Sequence, residues 1–465
     1  MKTLRYYTIC LALALLSCGR SNNQNPAKEN KTNNTQAQED NKKYNYNIYI
    51  ENSESMFGYV NGNTEFKDVL VRFISDIVNN NLNNKLSLSF INDTICPQQT
   101  SKNNPLEIQY FVQNLKPVNL QNTSCTNNTS YLPNILEKSI KTNPQDVNIL
   151  ISDCVFSSDK GSSTRYLSIA KETVRTLLHK QIETNNIATV VYKFKSSFFG
   201  KYFVESNNGQ TIDIPGTQRP YYVIITGPSA SVNQFLTKIK VAETREYKNY
   251  QNSFYLLTPN SSKPASKILI NNNKKEGNYN LSKNAKDLII NNAKPFIDPE
   301  TKESKFVFKV ASNLSFVKAD ESYITNVSNY EITKDFKIES IVKITDTSNI
   351  ITKGFDHIIT LSSNKLNQTQ TVQIKLKTKT PNWVAETGTE DDGNPDEVHT
   401  FGFSYLMEGV SQAYNDVYNG KDQFVIEIQV NKGDSANSSK ISMPWILLII
   451  AVVLFAGIII LKNKK

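Results

Sequence analysis

The sequence predicts an α/β fold: a doubly wound, mostly parallel sheet, followed by an all-β, sandwich-like region and one transmembrane helix. Three observations carry this expectation. Short apolar runs alternate with segments of helical periodicity from Tyr44 to Val241; beyond about Thr244 the helical periodicity disappears; and residues 444–461 form an unbroken apolar run. Alternating β and α segments imply right-handed crossovers between parallel strands. Short strand-like runs separated by Asn, Ser, Lys and Thr loops favour antiparallel sandwich modules. An apolar run of about 18 residues reaches the lower edge of what crosses a hydrocarbon core.

Taken in order, residues 47–50 read as a strand. Residues 66–78 place Val69, Leu70, Phe73, Ile74 and Ile77 on one helix face. A second strand follows at 86–91, and a second helix at 132–140 carries Leu132, Ile135, Leu136 and Ile140 on one side. Residues 147–152 are apolar nearly throughout, as suits a central parallel strand. A helix at 167–182, strands at 187–194 and 221–226 and a helix at 231–241 complete the first domain, bounded at 44–243. The region 244–435 offers strands at 254–257, 305–310, 330–342, 357–361, 371–377 and 423–430. A helix at 400–414, with Phe401, Tyr405, Leu406, Val410 and Ala413, is inserted before the last strand.

The ends of the chain indicate its address. A short basic start precedes an apolar stretch at 6–16 that is too brief to span a bilayer, the pattern of a secretory signal over residues 1–18. Leu15-Leu16-Ser17-Cys18-Gly19 resembles the lipobox of bacterial lipoproteins, which implies lipidation of Cys18. Residues 19–43, dominated by Asn, Gln, Lys and Glu, read as a disordered tether. Lys462, Lys464 and Lys465 follow the apolar run and, by the positive-inside rule, stay in the cytoplasm as a tail at 462–465. The expected location is therefore the bacterial inner membrane, with a lipid anchor and a membrane span, and the bulk of the chain on the periplasmic side.

Formal net charge is +9, and removing Lys2, Arg5, Lys462, Lys464 and Lys465 takes it to +4. Such a balance does not point to nucleic acid. With Cys10 in the signal and Cys18 lipidated, Cys96, Cys125 and Cys154 remain in an oxidising compartment. A Cys96–Cys125 bridge with Cys154 free is the simplest arrangement, and other pairings stay open.

The chemistry concentrates at Glu51-Asn52-Ser53-Glu54-Ser55, where the first strand ends and a helix-like run begins. Open α/β sheets hold ligands at the carboxyl ends of their strands. Together with Met56, with Thr129-Ser130-Tyr131-Leu132 ahead of a helix, and with Ile149-Leu150-Ile151-Ser152-Asp153, this segment resembles the von Willebrand factor A family. That family has a strand ending in Asp-x-Ser-x-Ser, a Thr ahead of a leucine-bearing helix, and an apolar strand ending in Asp. The resemblance implies a site for Mg2+ or Mn2+ that captures a partner protein.

A hard cation of this kind takes six oxygens and keeps several waters. Ser53 and Ser55, two residues apart in extended chain, point the same way and would bind the ion. Glu51 and Asp153 would hold its waters, with Ser130 or Thr129 as a third hydroxyl; leucine spacing favours Ser130. A partner's carboxylate would fill the open position. Glu51 departs from the family's Asp by one methylene, so a degenerate domain that lost the ion is the competing outcome.

Other constellations point to no chemistry. The loop Asp391-Asp392-Gly393-Asn394-Pro395-Asp396-Glu397 is rich in oxygens but lacks the spacing of the helix-loop-helix calcium motif, and a solvated acidic turn explains it. His179, His357 and His399 are in no triad or metal spacing, and nucleophile elbows and phosphate-binding glycine loops are absent. The chain is therefore not expected to be an enzyme. The expected function is adhesion-type binding of an envelope or extracellular protein. The alternative is a structural subunit of an envelope complex with a vestigial metal site, its partner surface being the helix at 400–414 or the membrane segment.

Overall fold

A computed structural model describes residues 42–98, 104–121, 130–157, 164–207, 210–259, 263–270, 273–284, 287–346, 348, 350–366, 368–418 and 422–433. The signal, the tether up to residue 41, Cys18, Thr129, Cys125 and the apolar run at 444–461 lie outside the described residues.

The first half is built on a seven-stranded sheet of β1 (Tyr44–Glu51), β2 (Asn83–Ile91), β3 (Ile95–Pro97), β4 (Val147–Ser152), β5 (Ile187–Val204), β6 (Gln210–Pro228) and β7 (Tyr250–Leu256), in the order β3-β2-β1-β4-β6-β5-β7. Only β1 with β2 and β1 with β4 run parallel. The other four neighbouring pairs are antiparallel. This corrects the doubly wound, mostly parallel sheet expected from the sequence. The physical reason is the β5–β6 hairpin: its two strands pair from Ile187↔Pro228 to Val204↔Gln210, so β6 returns directly and inserts between β4 and β5. Parallel neighbours would require a crossover of a dozen or more residues instead. The fold is accordingly mixed α/β with a largely antiparallel sheet content.

The membrane-spanning helix expected at 444–461 lies outside the described residues. No helix among the described residues is long and apolar enough to cross a membrane.

Helices cover both faces of the sheet. One face packs against α1 (Phe57–Val60), α2 (Glu65–Asn79), α3 (Pro105–Gln113), α4 (Pro117–Gln121) and α7 (Ser229–Lys238), through Phe66, Phe73, Ile108, Val112, Leu120 and Phe235. The other packs against α5 (Leu132–Lys141), α6 (Thr164–Asn185) and, from far along the chain, α10 (Phe403–Tyr418). Alternation along β1 sorts its side chains: Ile48 and Ile50 enter the first core and Tyr49 the second.

Helix α10 completes the second face rather than decorating the sandwich. Phe403, Leu406, Met407, Val410, Ala413 and Tyr414 share a core with α5 and α6. Gly409 lets the helices approach, since a Cβ there would lie 2.6 Å from the Lys171 carbonyl oxygen. At the start of α10, Gly402 has φ of +73°, a conformation that favours glycine.

The remainder is a two-sheet assembly. It comprises β8 (Ser266–Leu269), β9 (Asn278–Leu281), β10 (Ile289–Lys294), β11 (Phe296–Ile297), β12 (Ser304–Ser312), β13 (Tyr330–Ile332), β14 (Lys337–Lys343), β15 (His357–Ser363), β16 (Gln370–Leu376) and β19 (Phe424–Lys432). The sheets run β13-β16-β19-β10-β9 and β11-β12-β15-β14, with β8 on β12, and enclose a separate apolar core. Helix α8 (Glu321–Thr325) lies at the seam with the first half. Between the sandwich strands, α9 (Asn382–Thr387), β17 (Gly388–Thr389) and β18 (Thr400–Phe401) lead into α10.

Candidate functional site

The parallel core β2-β1-β4 brings its carboxyl ends together, with Glu51 opposite Ile91 and Ile50 opposite Ile151. Glu51 is the last residue of β1 and is fully buried. The chain then leaves the sheet through Ser53, in extended conformation, into a 3-10 turn over Glu54–Met56 that carries Ser55. Ser130 stands two residues before α5, and Asp153 directly follows β4; both are buried. Cys154 has φ of +55°, so the chain turns sharply just past Asp153.

All five candidate residues converge. Ser53 Oγ donates to Glu51 Oε1 at 2.8 Å and lies 2.9 Å from Ser55 Oγ. Ser130 Oγ also donates to Glu51 Oε1. The Ser55 hydroxyl lies near enough to the Asp153 carboxylate to favour its ionised form, and the Val155 N–H donates to Asp153 Oδ1 at 3.2 Å.

Ser152, which the sequence reading passed over as the end of an apolar strand, donates to Glu51 Oε2 and accepts from the Cys154 N–H at 2.7 Å. The extra methylene of Glu51 therefore places its carboxylate amid three hydroxyls from three segments. It contacts those hydroxyls directly.

A second residue escaped the sequence reading. Arg219, on β6, is buried at the same end of the sheet, because β6 runs antiparallel to β4 and pairs Tyr222 with Ser152. Its guanidinium lies 4.4 Å from the Tyr202 ring centroid and donates to the Asp396 carbonyl oxygen. Tyr59, just beyond the 3-10 turn, donates its hydroxyl to the Pro220 carbonyl oxygen at 2.5 Å, which ties the serine segment to β6. Nothing in the local sequence marks Arg219, since only the hairpin brings it there.

Burial raises the pKa of both acids. For Glu51 desolvation outweighs the hydroxyls of Ser130, Ser152 and Ser53, which pull the other way. Asp153 is pushed up to about 7 by burial and then by the neighbouring Glu51 carboxylate; the Ser55 hydroxyl, the Val155 N–H and the Arg219 charge act in the opposite sense. Near neutral pH the pair thus favours holding a proton or gaining a positive charge. Each serine oxygen that donates its hydrogen to Glu51 retains lone pairs, which a hard cation can use. No cluster of three or more His, Cys, Asp or Glu side chains fit for a metal occurs among the described residues. A cation here would depend on hydroxyls joined to two carboxylates.

The acidic loop is a set of satisfied turns. Asp392 is buried and accepts from Tyr202 Oη at 2.7 Å, from the N–H groups of Glu205 and Ser206 at 2.9 Å each, and from Ser206 Oγ at 2.6 Å. Asp396 Oδ1 accepts from the N–H groups of Val398 and His399 at 2.7 Å each. Cys96 is disulfide-bonded, its partner lying outside the described residues, and Cys154 is free and buried. Neither a protein-family model, nor a curated protein, nor a solved structure matches the chain.

Proposed function

We propose that the chain is an extracytoplasmic, cation-dependent protein-binding module of the von Willebrand factor A kind, which grips an acidic side chain of another envelope or extracellular protein. The observation that carries this reading is the convergence of Glu51, Ser53, Ser55, Ser130 and Asp153 at the carboxyl end of the parallel core, with both acids buried. Two buried carboxyls side by side are costly unless charge or protons offset them. A divalent ion on the serine oxygens would supply that charge, and its open coordination position would take the partner's carboxylate.

Calorimetry of the full-length chain with Mg2+ and with Mn2+ tests this. The expected result is saturable binding accompanied by proton release, lost in the Ser53→Ala, Ser55→Ala double variant while circular dichroism stays unchanged. Equal heats in the variant would overturn the proposal.

A second reading is favoured by one feature: hydroxyl donors already occupy both oxygens of Glu51. In that reading the site is a closed polar network and the chain is a structural subunit of an envelope complex. In that case the apolar side of the helix at 400–414, packed against α5 and α6, is not open to a partner.

A further inference from the structure

Away from the candidate site, an imidazole is clamped between two acids at the seam of the two halves. His357 opens β15 and its side chain is 3% exposed. Its Nδ1 lies 2.7 Å from Asp356 Oδ1 and its Nε2 lies 2.8 Å from Glu321 Oε1. A carboxylate only accepts, so both ring nitrogens must carry hydrogens for both contacts to be hydrogen bonds, which requires the imidazolium. Glu321 belongs to α8, and its other oxygen pairs with Lys343 of β14 at 3.0 Å. Lys343 is exposed and is itself faced by Glu243. Asp356 is fixed independently, accepting from the Leu314 N–H at 2.7 Å and the Ser315 N–H at 2.8 Å.

Helix α8 also holds the first half. Asp320, which precedes it, accepts from Ser253 Oγ and, at 3.1 Å, from Tyr250 Oη, both on β7. Tyr323 sits against Tyr255 with ring centroids 6.0 Å apart and donates to the Lys377 carbonyl oxygen at 2.8 Å. One short helix thus joins the edge strand of the α/β sheet to the sandwich.

We propose that His357 is a proton-operated latch: its imidazolium pins α8 to the sandwich, and loss of its proton releases α8 and with it the seam to β7. Neutral His357 keeps one N–H. Asp356, adjacent in sequence and fixed by two backbone donors, retains it, and the Nε2 lone pair then faces the Glu321 carboxylate. Glu321 is left with the exposed Lys343 alone. The two flanking acids outweigh burial and raise the His357 pKa above its usual value, which puts the release on the alkaline side of that value.

Hydrogen exchange of the full-length chain, corrected for the intrinsic pH dependence, tests the latch alongside NMR titration of the three histidines. Between about pH 5 and about pH 9, exchange in residues 319–325 is expected to rise about tenfold, as loss of one buried charge-assisted hydrogen bond implies. Its midpoint should match the His357 titration. His357→Gln should show the fast, alkaline rate at every pH. Glu321→Gln, which removes the charge and keeps the shape, should lower the His357 midpoint and flatten the exchange profile. Exchange that stays constant through the wild-type His357 titration would overturn the latch, as would a neutral His357 at the acidic end.

Discussion

Relative to its Asp153→Asn variant, the cation-free protein is expected to lose on the order of 4 kcal/mol of stability between about pH 4 and about pH 7. The sign follows from the shift. Asp153 ionises at the ordinary aspartate value of 3.8 when unfolded and only at about 7 when folded, so between these values the unfolded chain releases a proton that the native protein keeps. The stabilisation is complete below the unfolded value and is lost as pH rises through the folded one. Groups shifted the other way, such as Glu65, Glu321 and Asp356, are common to both proteins and cancel in the difference.

Denaturant titrations of both proteins across this pH range make the measurement. A constant difference would show that Asp153 does not carry the strain of the buried pair. The same shift bears on the cation, which requires the ionised form. Affinity for Mg2+ should fall about tenfold for each pH unit below 7, and saturating Mg2+ should restore stability at the alkaline end, where the cation-free site is weakest.

Much of this site was legible because it depends on local pattern. Glu51, Ser53 and Ser55 follow one apolar run and Asp153 follows another, and the two runs are neighbouring parallel strands, so their ends meet. The helices at 66–78, 132–140 and 167–182 were readable from one-sided apolar spacing, and the structure places α2, α5 and α6 there. What the local pattern does not contain is direction. The strands at 187–194 and 221–226 were legible as strands, yet the polar stretch between them hides the distal arms of the β5–β6 hairpin. A signal was present nonetheless: no helical periodicity separates Phe194 from Tyr221, and without a crossover the two strands must run antiparallel. Missing that direction also hid Arg219, which reaches the site only along an antiparallel β6. Likewise, nothing local in the helix at 400–414 says that its apolar face belongs to a sheet far earlier in the chain, as the Tyr222–Thr400 hydrogen bond with a separation of 178 illustrates.

That remote helix gives the second large effect. Phe403→Ala is expected to destabilise the protein by about 3–5 kcal/mol, the cost of emptying a fully buried aromatic site. Phe403 stacks on Tyr222 of the central β6 at 4.1 Å between centroids and on Trp383 at 5.7 Å, so its loss opens a cavity against the sheet itself. Because the cavity lies in the core shared with α5 and α6, denaturant unfolding should show a lower midpoint with an unchanged slope, the whole α/β half responding together. Gly402→Ala should act in the same direction through backbone strain and through a Cβ 2.5 Å from the Phe156 ring. Leu106→Ala supplies the contrast: at 72% exposure it should change stability by less than about 0.5 kcal/mol, although it removes the same class of side chain from a helix. If Phe403→Ala cost no more than Leu106→Ala, α10 would be an appendage of the sandwich, and the second face of the sheet would be held by α5 and α6 alone.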